Sequence, residues 1–268
     1  MTNTVTIRNM SLTLKSHAKL NNGIEIPILG LGVYQSPPGK TTECAVSIAL
    51  KIGYRHIDTA SLYGNESDVG KALSQSGVSR EEVFITTKVW NSEQGYDNTL
   101  QACERSLRRL GLAYVDLYLI HWPVRGKSIE TWKALIKILQ QSRDLEEILQ
   151  YSKDIPAVNQ VEFHPFLYQN ELLRFCKNNN IQLEAYSPLT RAKRLNHPTI
   201  IKIAKKYSKT PAQVLIRWNL QHDVVVIPKS IHEDRIRENS QVFDFRIEPD
   251  DMKLLDSLNE NLQTVFLD

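Results

Sequence analysis

Cysteine is scarce in this chain of 268 residues: Cys44, Cys103 and Cys176 are few, odd in number and widely spaced. That argues against a disulfide framework or a zinc site and favours a reducing compartment. Long apolar runs are missing too. No window approaches a membrane-spanning length, and the stretch Met1 to Val5 has no signal-peptide character, so no membrane partner is expected. Charge of one sign is not concentrated anywhere: 33 basic residues are scattered among 30 acidic ones, and a net +3 is too small to indicate nucleic acid. Low-complexity stretches, Pro/Gly/Ser linkers and repeats are also lacking. The expectation is a single domain over residues 1–268, cytoplasmic and, with no apolar helix face left over, monomeric.

Complete nucleotide-loop motifs are absent as well. Gly30-Leu-Gly32-Val-Tyr-Gln35 lacks the third glycine of a dinucleotide fingerprint. Gly39-Lys-Thr41 and Gly126-Lys-Ser128 lack the upstream glycine of a phosphate loop, with Tyr34 and His121 in its place.

What is present is an alternation. Asn21-Asn22-Gly23 between Ala18–Leu20 and Ile24–Ile26 signals a hairpin. Short apolar runs follow at Ile28–Val33, His56–Asp58, Val83–Thr87, Tyr114–Ile120, Ala157–Val161, Ile181–Tyr186 and Val224–Ile227. Helical periodicity separates them, as at Thr41–Ile52, Pro198–Lys206 and Pro211–Leu220. This pattern predicts an α/β fold with parallel strands inside and helices outside.

Three consecutive strand ends carry polar groups that sit oddly beside a core: Asp58-Thr-Ala-Ser-Leu-Tyr63-Gly-Asn-Glu66, Thr87-Lys88-Val-Trp90 and His121-Trp122-Pro123. In a parallel barrel these ends share the face on which such enzymes place their sites. Alone, an aspartate there is ordinarily a cap and a tyrosine ordinarily packs. Lys88 is harder to explain structurally, because lysine rarely enters a barrel mouth without a partner.

Ile57-Asp-Thr-Ala60, Tyr63-Gly-Asn-Glu66, Thr87-Lys-Val-Trp90, Asp116-Leu-Tyr-Leu-Ile-His121-Trp-Pro123 and Ile227-Pro-Lys-Ser230 resemble, in order, the signatures of the aldo-keto reductases. The branch of prostaglandin F synthase and 2,5-diketogluconate reductase is the most similar. The resemblance implies a TIM-type (β/α)8 barrel with an N-terminal β-hairpin, and NADPH-dependent reduction of a small-molecule aldehyde or ketone. It assigns Tyr63 as proton donor, with Asp58, Lys88 and His121 completing the catalytic set. The residue types suit that chemistry. A carbonyl receiving hydride needs a proton in the same step. A lysine ammonium beside the phenol is expected to favour its phenolate form and so lower its pKa, with aspartate holding the lysine charged.

By the same resemblance Asp58, Gln160, Tyr186, Ser187 and Leu189 would line the nicotinamide and pyrophosphate path. Lys229, Ser230 and Arg235 match a 2′-phosphate clamp, and Glu238 and Asn239 match adenine contacts. Two cations and a hydroxyl suit a phosphate dianion, hence NADP(H). Tyr34, Leu62, Trp90, His121 and Trp122 would form the substrate pocket; no metal is implied.

One departure stands out. Between Pro123 and Ala157 there is no room for a helix, a strand and another helix with their loops, at about 11, 5 and 11 residues. Trp132, Leu135, Leu139, Leu145 and Leu149 instead predict one helix over Glu130–Gln150. The family stretch of Gly-Lys-Val-Arg-Ala-Ile-Gly-Val-Ser-Asn-Phe type has no counterpart. An internal deletion near residues 139–143 is expected, with three outcomes for the barrel: seven regular strands, Ile136-Lys-Ile-Leu139 as a replacement strand, or a gap. Loss of the Ser-Asn pair that accompanies Gln160 predicts weaker cofactor binding, and imperfect closure predicts lower stability. A second reading follows from the same feature: a catalytically impaired splice or deletion form with a binding or structural role.

Overall fold

The computed structural model describes residues 12–141 and 155–266. It opens on an antiparallel hairpin, β1 (His17–Lys19) and β2 (Glu25–Pro27), in which His17 faces Pro27 and Lys19 faces Glu25. Gly23 turns the chain at a φ of 84°, as the Asn-Asn-Gly signal requires.

The alternation then proceeds as read: β3 (Leu31–Gly32), α1 (Lys40–Ile52), β4 (His56–Asp58), α2 (Glu66–Gln75), β5 (Phe84–Val89), α3 (Tyr96–Leu110), β6 (Leu117–Ile120) and α4 (Ser128–Gln141). The second half has β7 (Val158–Glu162), α5 (Asn170–Asn178), β8 (Gln182–Tyr186), α6 (Pro198–Lys206), α7 (Pro211–Gln221), β9 (Val225–Val226), α8 (Glu233–Ser240) and α9 (Pro249–Asp256). Local chemistry sets these boundaries. Thr210 and Gln213 form a reciprocal capping box with Pro211 in the first turn of α7. The helix is buried along most of its length, and its Trp218 stacks on Phe163 with ring centroids 5.2 Å apart.

All barrel strands are parallel. One sheet has the order β3-β4-β5-β6 and another β7-β8-β9. Parallel bridges Leu29–Val226 and Gly32–Lys229 join β9 to β3, so the strands run as one arc from β6 round to β7. The close approach at this junction explains the Gly30-Leu-Gly32 run. A Cβ on Gly32 would stand 2.9 Å from the carbonyl oxygen of Ile227.

Among the described residues seven strands form the arc, and β6 has no pairing with β7. Burial follows that geometry. All six residues of β5 are buried, whereas all four of β6 are half-buried, as are the middle three of β7. A strand inside a parallel sheet is covered on both faces, and a strand at its edge is not. The replacement-strand expectation is overturned: Ile136–Leu139 lie inside α4. Those residues continue the apolar helical stripe begun by Trp132, and helical period won over the short apolar run. Leu145, Leu149 and the 142–143 end of the expected deletion lie outside the described residues.

Candidate active site

A cavity of about 1190 Å³ opens at the C-terminal ends of the barrel strands and continues down the side between β6 and β7, past Trp132, Leu135, Pro156, Cys176 and Ile181. Asp58 closes β4, Lys88 lies near the end of β5, His121 follows β6, Gln160 sits in β7 and Tyr186 ends β8. Thus every residue of the expected catalytic set reaches one space, as do Tyr34, Leu62, Trp90, Trp122, Gln160, Tyr186, Ser187, Leu189 and Lys229.

The Tyr63 turn shows what its motif is for. Ser61–Tyr63 form a single 3-10 turn, and Gly64 at a φ of 67° lets the chain leave it. Asn65, fully buried, accepts from the Thr59 hydroxyl at 2.8 Å and donates to the carbonyls of Val33 and Ser36 at 3.0 and 3.2 Å. Buried Glu66 accepts from Thr87 at 2.6 Å and from Arg109 at 2.5 Å. Tyrosine is presented, glycine turns, and the next two residues fasten the loop to the strands.

Lys88 is buried and has a full set of acceptors. Its Nζ donates to Asp58 Oδ1 and Oδ2 at 2.6 and 2.8 Å and to the Thr59 carbonyl at 3.0 Å, with Tyr63 Oη at 3.4 Å. Burial alone would lower the lysine pKa, but the Asp58 charge and hydrogen bonds outweigh it, so the ammonium is held charged. His121 lies edge-on to Tyr63 and Trp90, with ring centroids 5.4 and 5.0 Å away. Burial, aided by the Lys88 charge, pushes its pKa down to about 3, so the imidazole is neutral.

The phenol differs from the expectation. Lys88 does pull the Tyr63 pKa down, but burial is the larger effect and Asp58 adds to it, leaving the value pushed up to about 12.

Gln160 bridges two carboxyl groups, donating from Nε2 to Asp58 Oδ2 and to Glu184 Oε2, each at 2.9 Å. Glu184 was not among the expected residues. It is fully buried at the centre of β8, with His56 Nε2 3.5 Å from its other oxygen. Burial first, and then the Asp58 charge, push its pKa up to about 8 against the Gln160 hydrogen bond and Lys88. Burial pushes His56 down to about 3, so at neutral pH this is a neutral acid beside a neutral imidazole. The available signal was alternation: Glu184 and Tyr186 share one face of a strand.

The remaining expected cofactor residues sit apart from the cavity lining. Ser230 is buried, and Arg235, Glu238 and Asn239 lie in α8. Glu238 accepts from Thr210 at 2.7 Å. Lys229 and Arg235 are exposed, and among the described residues neither forms an ion pair.

Residues 29–260 match the aldo/keto reductase family, and the chain belongs to it. It is 49% identical to the glyoxal reductase of Bacillus subtilis over 264 aligned positions, covering 94% of this chain and 96% of that protein. That alignment is longer than the stretch of this chain it uses, so the relative carries residues without a counterpart here. Identity to the 9,11-endoperoxide prostaglandin H2 reductase of Trypanosoma cruzi is 48%, over 90% of this chain and 91% of that one. Among solved structures, an aspartate-to-alanine variant of Gox0644 in complex with NADPH superposes with a TM-score of 0.83 at 42% identity, covering 91% of this chain and 94% of that one. These relatives share the TIM-barrel fold. No helix among the described residues is long and apolar enough to cross a membrane.

Proposed function

We propose that the protein reduces small aldehydes and ketones to alcohols with NADPH, using Tyr63 as the proton donor. The observation that carries this reading is the buried Lys88–Asp58 pair set beside Tyr63 and His121 in one cavity. A relative named for reduction of glyoxal, a dialdehyde, supports the reaction class, and a neighbour holding NADPH supports the cofactor.

NADPH would be held at its 2′-phosphate by Lys229, Ser230 and Arg235. Two exposed cations without ion pairs suit a phosphate dianion, since charge-assisted hydrogen bonds form without first breaking others. Tyr186, which lines the cavity, would stack on the nicotinamide, Ser187 and Leu189 would contact the pyrophosphate, and Glu238 and Asn239 would contact the adenine. When bound, the cofactor supplies hydride, which no side chain can provide.

The carbonyl oxygen is placed between the Tyr63 hydroxyl and the His121 ring. A neutral imidazole orients that oxygen without competing for the proton. As charge develops on it, the Tyr63 O–H bond breaks and the proton passes to the oxygen, giving the alcohol. Lys88 at 3.4 Å stabilises the phenolate left behind. Tyr34, Leu62, Trp90 and Trp122 form the apolar walls.

A Tyr63→Phe variant tests the reading. It keeps the ring that contacts Tyr34 and His121 and removes the hydroxyl. Turnover of methylglyoxal and benzaldehyde should fall by about 10²- to 10⁴-fold, with NADPH affinity kept. Undiminished turnover would remove Tyr63 from the mechanism.

A further inference from the structure

Glu184 lies fully buried in the middle of β8, inside a parallel sheet whose strands are ordinarily filled with apolar side chains. The mechanism above gives it no task. Among the described residues the only hydrogen bond to its carboxyl comes from Gln160 Nε2, at 2.9 Å. The other oxygen has His56 Nε2 at 3.5 Å and no hydrogen-bond partner. A carboxyl buried with so little support destabilises the fold relative to an apolar residue of its size. The gain lies with its neighbour.

Gln160 stands directly opposite Glu184 in the β7–β8 register. Its Nε2 also donates to Asp58 Oδ2 at 2.9 Å, and Asp58 is the carboxylate paired with Lys88. A carboxylate only accepts, so the nitrogen end of the amide must face the two acids. Both N–H bonds are then engaged, one by a group from β4 and the other by a group from β8. The end left for the cavity that Gln160 lines is its carbonyl oxygen, an acceptor only.

We propose that Glu184 is a positioning residue: with Asp58 it fixes the Gln160 amide so that Oε1 alone meets a bound ligand. This point of the cavity then takes a group that donates N–H, which in NADPH is the amine of the carboxamide. Burial keeps the Glu184 proton in place at neutral pH, so it anchors the amide without rivalling Asp58 for the Lys88 ammonium. The identity of the ligand group rests on the NADPH reading; the orientation of the amide rests on the hydrogen bonds.

The test compares NADPH with its acetylpyridine analogue, in which a methyl group replaces that amine, and reads both Kd values from tryptophan fluorescence. The wild type should favour NADPH by about tenfold, the scale of one hydrogen bond. Glu184→Leu leaves the amide held by Asp58 alone, and the preference should fall about threefold. Glu184→Gln offers Gln160 an acceptor again and should restore the wild-type ratio. Adding Glu184→Leu to Gln160→Leu should change the ratio no further, because Glu184 acts only through that amide. Glu184→Met takes the place of Glu184→Leu if the latter does not fold. In the cofactor-free protein, NMR of the Gln160 side-chain amide should show exchange with water about tenfold faster in Glu184→Leu than in the wild type or Glu184→Gln. A ratio that Glu184→Leu does not move, or that Glu184→Gln does not restore, overturns the proposal, as does equal amide exchange in all three proteins. A protected amide in a wild type that binds neither nucleotide overturns the NADPH reading and leaves the positioning role standing.

Discussion

Lys88 and Asp58 face one another from adjacent strands, the ammonium 2.6 and 2.8 Å from the two carboxylate oxygens and both residues almost fully buried. Removing one charge leaves the other buried without its main partner, at about 3–5 kcal/mol. Asp58→Asn should therefore lower the thermal midpoint by roughly 10 °C in a circular dichroism melt. A shift within a degree or two would mean the pair contributes little to folding.

Glu184 sets a pH dependence. Its pKa in the fold, about 8, lies above that of an unfolded glutamate. As pH rises from about 5 to 8 the unfolded chain releases this proton while the fold retains it, so this contribution to stability is full below the unfolded pKa and is lost on the way up. Glu184→Gln should flatten that part of the stability curve and raise the midpoint relative to wild type at pH 8 more than at pH 5. Parallel curves for the two proteins would rule the assignment out. Above pH 8 the new charge beside Asp58 and Gln160 should also weaken NADPH binding in the wild type alone.

Lys229 and Arg235 should discriminate between cofactors. Replacing either with alanine removes a charge-assisted contact of about 1.5–3 kcal/mol, raising the Kd for NADPH about tenfold or more and leaving that for NADH nearly unchanged. Equal losses for both cofactors would show that these side chains act on something other than the 2′-phosphate.

The half-buried β6 should exchange its amides faster than the enclosed β5. Mass-spectrometric hydrogen exchange over Leu117–Ile120 and Phe84–Val89 reads this directly. Equal protection would show that the β6 edge is covered in solution.

Much of this site could be read from the chain, because a parallel barrel turns strand ends into neighbours. Asp58, Lys88 and His121 each stand at or near such an end, so the spacing of apolar runs brings them together, whereas Gln160 and Tyr186 follow only from the family resemblance. Glu184 looks, in one dimension, like a polar residue in a strand, and its importance depends on Gln160 reaching it from the neighbouring strand. The Tyr63 pKa was misjudged for a related reason. The Lys88 partner could be inferred, but the extent of burial comes from the packing of Tyr34 and His121 around the ring. The regular strands β3 and β9 span two residues each, shorter than the apolar runs Ile28–Val33 and Val224–Ile227, and single bridges at Leu29–Val226 and Gly32–Lys229 continue the pairing beyond them.

The arc of strands divides the chemistry between two halves. Asp58 and Lys88 lie in the four-stranded sheet, with Tyr63 and His121 in the segments that follow its strands, whereas Gln160 and Tyr186 lie in the three-stranded one and Lys229 follows its last strand. Their registration depends on the junction of β3 with β9 and on the Gln160–Asp58 hydrogen bond across the cavity. A cofactor spanning both halves would act as a strut, stiffening the frame at the moment it brings donor and acid together. Assembly of the reaction centre and consolidation of the barrel would then be one event.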